Sequence, residues 1–130
     1  MTIAEHIDDS IVTIELTGRL TADTLEPFQL TVARHLREGG EAGGCGFVID
    51  LQGVNYIDSE GLGSLIQAYT SCKKRGAPIV FVHVFGRNLQ LLKVTKLLTV
   101  FEVYASTLEA RRSFANMLPT PVAAIEAARP

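Results

Sequence analysis

Residues 47–76 read FVIDLQGVNYIDSEGLGSLIQAYTSCKKRG, and within this stretch the hydrophobic period changes from that of a strand to that of a helix. FVIDLQGV is an almost continuous apolar run broken by Asp50, the pattern of a strand covered on both faces in the middle of a sheet. Beyond it, Leu62, Leu65, Ile66 and Tyr69 recur at three- and four-residue spacing, which predicts an amphipathic helix. Lys73, Lys74 and Arg75 complement the negative C-terminal end of that helix, and Gly76 supplies a left-handed stop. At the junction stands YIDSEGLG (56–63), with Ser59 between two acids at the helix mouth. Its hydroxyl is open to three readings: a cap, a nucleophile, or a group that another protein modifies.

Outward from this junction the same alternation continues. SIVTIELTG (10–18) is a strand with one clearly buried face, Val12, Ile14 and Leu16, opposite Ile11, Thr13 and Glu15. Leu25, Phe28, Val32 and Leu36 then share one helical stripe, with Pro27 in the first turn and Thr21, Asp23 or Thr24 as candidate caps. IVFVHV (79–84) is another mostly apolar strand, which places His83 in it. RNLQLLKVTKLL (87–98) has helical spacing through Leu89, Leu92 and Lys96 or Leu97, and TVFEVYA (99–105) is a short strand. Ser106 to Glu109 matches a capping box opening a last helix through Leu108, Arg111, Phe114 or Ala115, and Leu118.

The order β-α-β-α-β-α-β-α, with room for one further short strand in residues 2–7, predicts an α/β fold: a mixed β-sheet of four to five strands with about four helices packed against it. The 130 residues make one domain, and the Pro- and Ala-rich segment after residue 117 reads as a loosely held tail. In such sheets functional sites collect where strands end and helices begin, and YIDSEGLG lies at such a point.

Several functional classes are disfavoured. The net charge of −2, from 12 basic and 14 acidic residues, offers no field for nucleic acid or an anionic membrane. No apolar stretch is long enough to span a bilayer, and the N-terminus lacks the pattern of a secretory signal, so the expectation is a cytoplasmic protein. Cys45 and Cys72 form neither a disulfide framework nor a metal-ligand cluster, and no cofactor motif appears. GGEAGGCG (39–46) has five glycines in eight positions, but it follows a helix and leads into a strand, the reverse of a phosphate-binding loop, and reads as a connector.

Ser59 is a poor hydrolase nucleophile. Ile57 stands where a nucleophile elbow needs glycine, and Asp58 and Glu60 would oppose a developing oxyanion. His6, His35 and His83 carry no motif that ties one of them to Ser59 as a base. A cap is compatible with the spacing. It does not explain a serine directly after a competent capping aspartate, nor Gly61 and Gly63, which weaken a helix but permit close approach.

DLQGVNYIDSEGLGSLIQAY (50–69) resembles the signature of STAS domains, in particular bacterial anti-sigma-factor antagonists. The likeness runs through Asp50, Leu51, Gly53, Val54, Ile57, Asp58, Ser59, Gly61 and Leu62, and with LTGRL (16–20) and LLKVTKLL (91–98) it extends over roughly residues 5–117. Thr21 stands where the family usually carries an acid, Glu60 where serine or threonine is common, and Lys96 where glycine is frequent. The resemblance implies a non-enzymatic protein that binds an anti-sigma factor with serine kinase activity, releases a sigma factor, and is switched off when Ser59 is phosphorylated. It implies a partner surface of Asp58, Ser59, Glu60, Gly61, Leu62 and Gly63 with Thr21 and Asp23. The alternative is a STAS subunit that docks without switching, in a lipid-transport ATPase complex or a stress-signalling assembly.

Overall fold

The computed structural model describes residues 1–38 and 46–114. The expectations for the 39–45 connector and Cys45, for a tail beyond residue 117, and for Ala115 and Leu118 therefore lie outside the described residues. Five strands, β1 (Thr2–Asp8), β2 (Ile11–Leu20), β3 (Gly46–Ile57), β4 (Ile79–Val82) and β5 (Glu102–Tyr104), form one sheet in the order β1-β2-β3-β4-β5. β1 is antiparallel to β2, and the remaining pairs are parallel. α1 (Leu25–Glu38), α2 (Ser59–Lys74) and α3 (Gly86–Val94) are the three crossovers, and α4 (Thr107–Ser113) follows β5.

Because each crossover steps to the next strand in the same direction, crossovers of one hand put α1, α2 and α3 on one face. That face holds the main core: Val12, Ile14, Leu16, Phe47, Ile49, Leu51, Ile79 and Phe81 from the strands meet Phe28, Val32, Leu36, Leu65, Ala68 and Leu92 from the helices. On the opposite face Ile11, Val48, Val80 and Val82 meet Ala110 and Phe114. β2 is thus buried on both sides at its start, since Ile11 and Thr13 are covered as well as Val12 and Ile14, where alternation alone predicted one buried face. β3 is central, as its apolar run requires. The edge strand β1 is tied to α1 by Glu5, whose Oε1 lies 2.6 Å from both Arg34 Nη2 and His35 Nε2. Hydrogen bonds from His35 and Arg34 hold the Glu5 carboxyl below its ordinary pKa.

Three local expectations are corrected. In α2 the buried stripe is Gly61, Ser64, Leu65, Ala68 and Cys72, so Ile66, expected in the core, is 40% exposed. His83 lies past the end of β4 with φ +57, its Nδ1 2.9 Å from Asp50 Oδ1. α3 stops at Val94 instead of continuing through Lys96. Thr95 bonds back to Leu91 O, Lys96 turns left-handed at φ +65, and Leu97–Thr99 form a 3-10 turn. The cap of α1 is also less direct than expected: Thr24 Oγ1 donates to Arg19 O and accepts from Thr21 N, bracing the loop before the helix.

Lys96 is left-handed, a region in which a Cβ is strained and glycine is not. Lys96→Gly is therefore expected to stabilise the protein by about 0.5 to 1 kcal/mol, read as a rise in the denaturation midpoint. A fall would mean that the turn tolerates a side chain without strain.

Candidate functional site

The C-terminal ends of β2 and β3 deliver two loops to the same place. β3 ends at Ile57, and Asp58 in extended conformation caps α2: its Oδ1 accepts from Gly61 N at 2.7 Å. The other oxygen, Oδ2, accepts from Ala22 N at 3.2 Å in the loop between β2 and α1, while Asp58 N donates to Leu20 O. One aspartate therefore fastens the helix mouth to the loop that carries Thr21 and Asp23. The Gly61 amide is the main cause that holds its carboxyl below the ordinary range, assisted by the amides of Ala22 and Glu60 and the charge of Arg19.

The pH dependence follows from that sign. A depressed carboxylate pKa stabilises the fold above the unfolded-state value near 4, and that stabilisation is lost as pH falls through the lower folded value. Asp58→Ala is expected to lower the melting temperature at pH 7, with the gap to wild type closing on acidification below about pH 4. A gap that stays constant down to pH 2 would show that the charge of Asp58 contributes nothing.

Ser59 is the first residue of α2 and is exposed, as is Glu60. Among the described residues no group hydrogen-bonds the Ser59 hydroxyl, whereas Asp58 beside it is fully engaged. The cap and the free hydroxyl are thus separate residues. Gly63 is exposed and a Cβ there would meet nothing within 4 Å, while Leu62 is half-buried. Thr21 is half-buried and Asp23 exposed in the neighbouring loop, so these residues share one surface with Ser59. Gly61 departs from its expected place on that surface. It is buried, and a Cβ would fall 2.0 Å from Leu20 O, so its small size serves the contact between helix mouth and loop.

The ends of β2 and β3 and the start of α3 also assemble a group that no local pattern announced. The Tyr56 ring has the Arg19 guanidinium 4.5 Å from its centroid and that of Arg87 at 6.0 Å. Arg87 arrives through α3, which Asn88 fastens to β3 by donating to Val54 O. Only the tertiary fold brings these three together. The histidines are engaged away from Ser59: His35 with Glu5, His83 with Asp50, and His6 Nε2 3.3 Å from Glu15.

The STAS domain profile matches residues 2–110, and the chain belongs to that family. No curated protein sequence matches it. Among solved structures it is similar to an anti-sigma factor antagonist from Mycobacterium paratuberculosis, with TM-score 0.74 and 19% identity over 86% of this chain and 92% of that one. The Bacillus cell fate determinant SpoIIAA in its phosphorylated form superposes with TM-score 0.67 at 13% identity, over 87% of this chain and 99% of that one. The murine Solute Carrier 26 member A9 anion transporter matches with TM-score 0.68 and 18% identity, over 84% of this chain and 18% of that one. At these identities the likeness is one of fold: a five-stranded mixed sheet with four helices. Among the described residues no helix is long and apolar enough to cross a membrane.

Proposed function

We propose that this protein is a cytoplasmic anti-sigma-factor antagonist, with residues 1–117 as its STAS domain, that binds an anti-sigma factor and is switched off by phosphorylation of Ser59. The observation that carries the reading is the division of labour at the helix mouth: Asp58 takes the capping bonds and Ser59 presents an uncommitted, exposed hydroxyl beside it. A phosphate there adds about −1.5 to −2 charge, and the positive end of α2 accommodates it without unfolding. Asp58, Ser59, Glu60, Leu62 and Gly63, with Thr21 and Asp23, form the contact surface; Gly61 supports it from beneath. The partner is an anti-sigma factor that is itself an ATP-dependent serine kinase. The protein is not an enzyme in this scheme, and it contacts no nucleic acid directly.

Intact-mass analysis tests this. Incubation with ATP and the anti-sigma kinase encoded beside its gene is expected to add one phosphate to wild type and none to Ser59→Ala. A phosphate on both variants would remove Ser59 from the scheme.

A second reading, a docking module that never switches, is favoured by two observations. Glu60 makes the unmodified site already negative, and the same fold forms part of the much longer Slc26a9 transporter. A stable complex with no added mass would select it.

A further inference from the structure

Between α1 and α2, on the outer side of the helical layer, lies an open cavity of about 340 Å³. That is the lower end of the volumes that hold small organic ligands. Its floor is largely apolar, made by Val32, Leu36 and Ala68 with Ser64, whose hydroxyl is taken up by Gly61 O, and Ser71 on the α2 side. One end is closed by a hydrogen bond between helices, Gln29 Nε2 to Gln67 Oε1 at 2.7 Å. At the other end stand three cations, Arg37, Lys74 and Arg75. From the glutamine pair to the cations the helices advance eight residues each, or about 12 Å.

The cations exceed what the helices require. The C-termini of α1 and α2 carry about half a negative charge each and Glu38 is taken up by Arg34, so among the described residues three full positive charges leave this end net positive. Among the described residues no carboxylate lies within ion-pair distance of Arg37, Lys74 or Arg75; Glu38, the nearest acid along α1, pairs with Arg34. A groove with a largely apolar floor, a polar end and a cationic end that no described carboxylate pairs with is complementary to an elongated molecule with an aliphatic body and an anionic head. We propose that this groove is a binding site for a free aliphatic carboxylate of medium chain length, with its chain over Val32, Leu36 and Ala68 and its head on Arg37, Lys74 and Arg75. The site is separate from Ser59 and does not depend on the reading of that residue.

Amide-resolved NMR titration of the whole protein with decanoate below its micelle concentration tests the proposal, with decyltrimethylammonium and acetate as matched probes. Saturable shifts confined to α1 and α2 around the groove are expected for decanoate alone. Lys74→Gln/Arg75→Gln is expected to weaken decanoate about tenfold or more, the size of a lost charge-assisted contact. Ala33→Phe, at an exposed lining position, is expected to abolish binding while leaving the spectrum of the rest of the fold unchanged. Equal binding of decyltrimethylammonium would show a merely apolar groove, and equal binding of acetate a merely cationic surface; either overturns the proposal. Absence of saturable decanoate shifts, or an affinity untouched by Lys74→Gln/Arg75→Gln, overturns it as well.

Discussion

Gly61→Ala is expected to lower the unfolding free energy by about 3 kcal/mol, the upper range for forcing an extra group into a packed site. The added methyl would lie 2.0 Å from Leu20 O and 2.7 Å from Leu20 C. Those atoms are backbone, and Leu20 O also accepts from Asp58 N, so relief requires the helix mouth and the loop to separate. Separation in turn strains the bond from Asp58 to Ala22. Gly63→Ala, two residues along the same helix, is the control: its Cβ has open space, and exchanging glycine for alanine in a helix stabilises by about 0.5 to 1 kcal/mol. Urea denaturation of both variants reads the difference. Equal midpoints would mean that α2 rides more loosely on Leu20 than its geometry indicates.

Ser59→Glu and the phosphorylated protein are expected to bind the anti-sigma factor about a hundredfold more weakly than the unmodified chain, about 3 kcal/mol from placing like or desolvated charge within an interface. Ser59→Ala is expected to bind like wild type and to resist inactivation. The melting temperature of all three is expected to stay close to wild type, because the Ser59 side chain is exposed and holds no bond to any described residue. Titration calorimetry measures the affinities. Undiminished affinity for both the glutamate variant and the phosphoprotein would remove the switch and leave a permanent docking module.

The alternation of elements was legible because each period is written by large apolar residues, and β3, α2 and the Gly76 stop fall where the pattern puts them. Gly76 N donates to Lys73 O and Ala77 N to Cys72 O, the pair of bonds that a left-handed glycine permits at a helix end. The orientation of α2 was legible in part: Leu65 is buried and Leu62 and Tyr69 pack against the core as expected, but Ile66 does not. The buried stripe of α2 is made of Gly61, Ser64, Ala68 and Cys72 around a single Leu65, small residues that let the helix lie close but scarcely register as hydrophobic. Ile66 dominates such a count and yet faces outward. The end of α3 was hidden for a related reason: apolar spacing runs on through Leu97 and Leu98, while the break comes from a lysine in a conformation that its residue type does not advertise. At the site, Asp58 and Ser59 could be read from neighbours in the chain. Arg19, Tyr56 and Arg87 could not, since their association depends on three elements meeting.

The last described helix turns back along the far side of the sheet, and Phe114 at its end lies against Gly46, where β3 begins. Ser59 follows the other end of the same strand, which is 12 residues long and therefore spans about 40 Å. The two points are opposite poles of the molecule. Phe114, the last described residue, therefore sits at the pole remote from the Ser59 surface. The end of β3 that carries Ser59 is thus remote from α4 and from the face of the sheet that α4 covers.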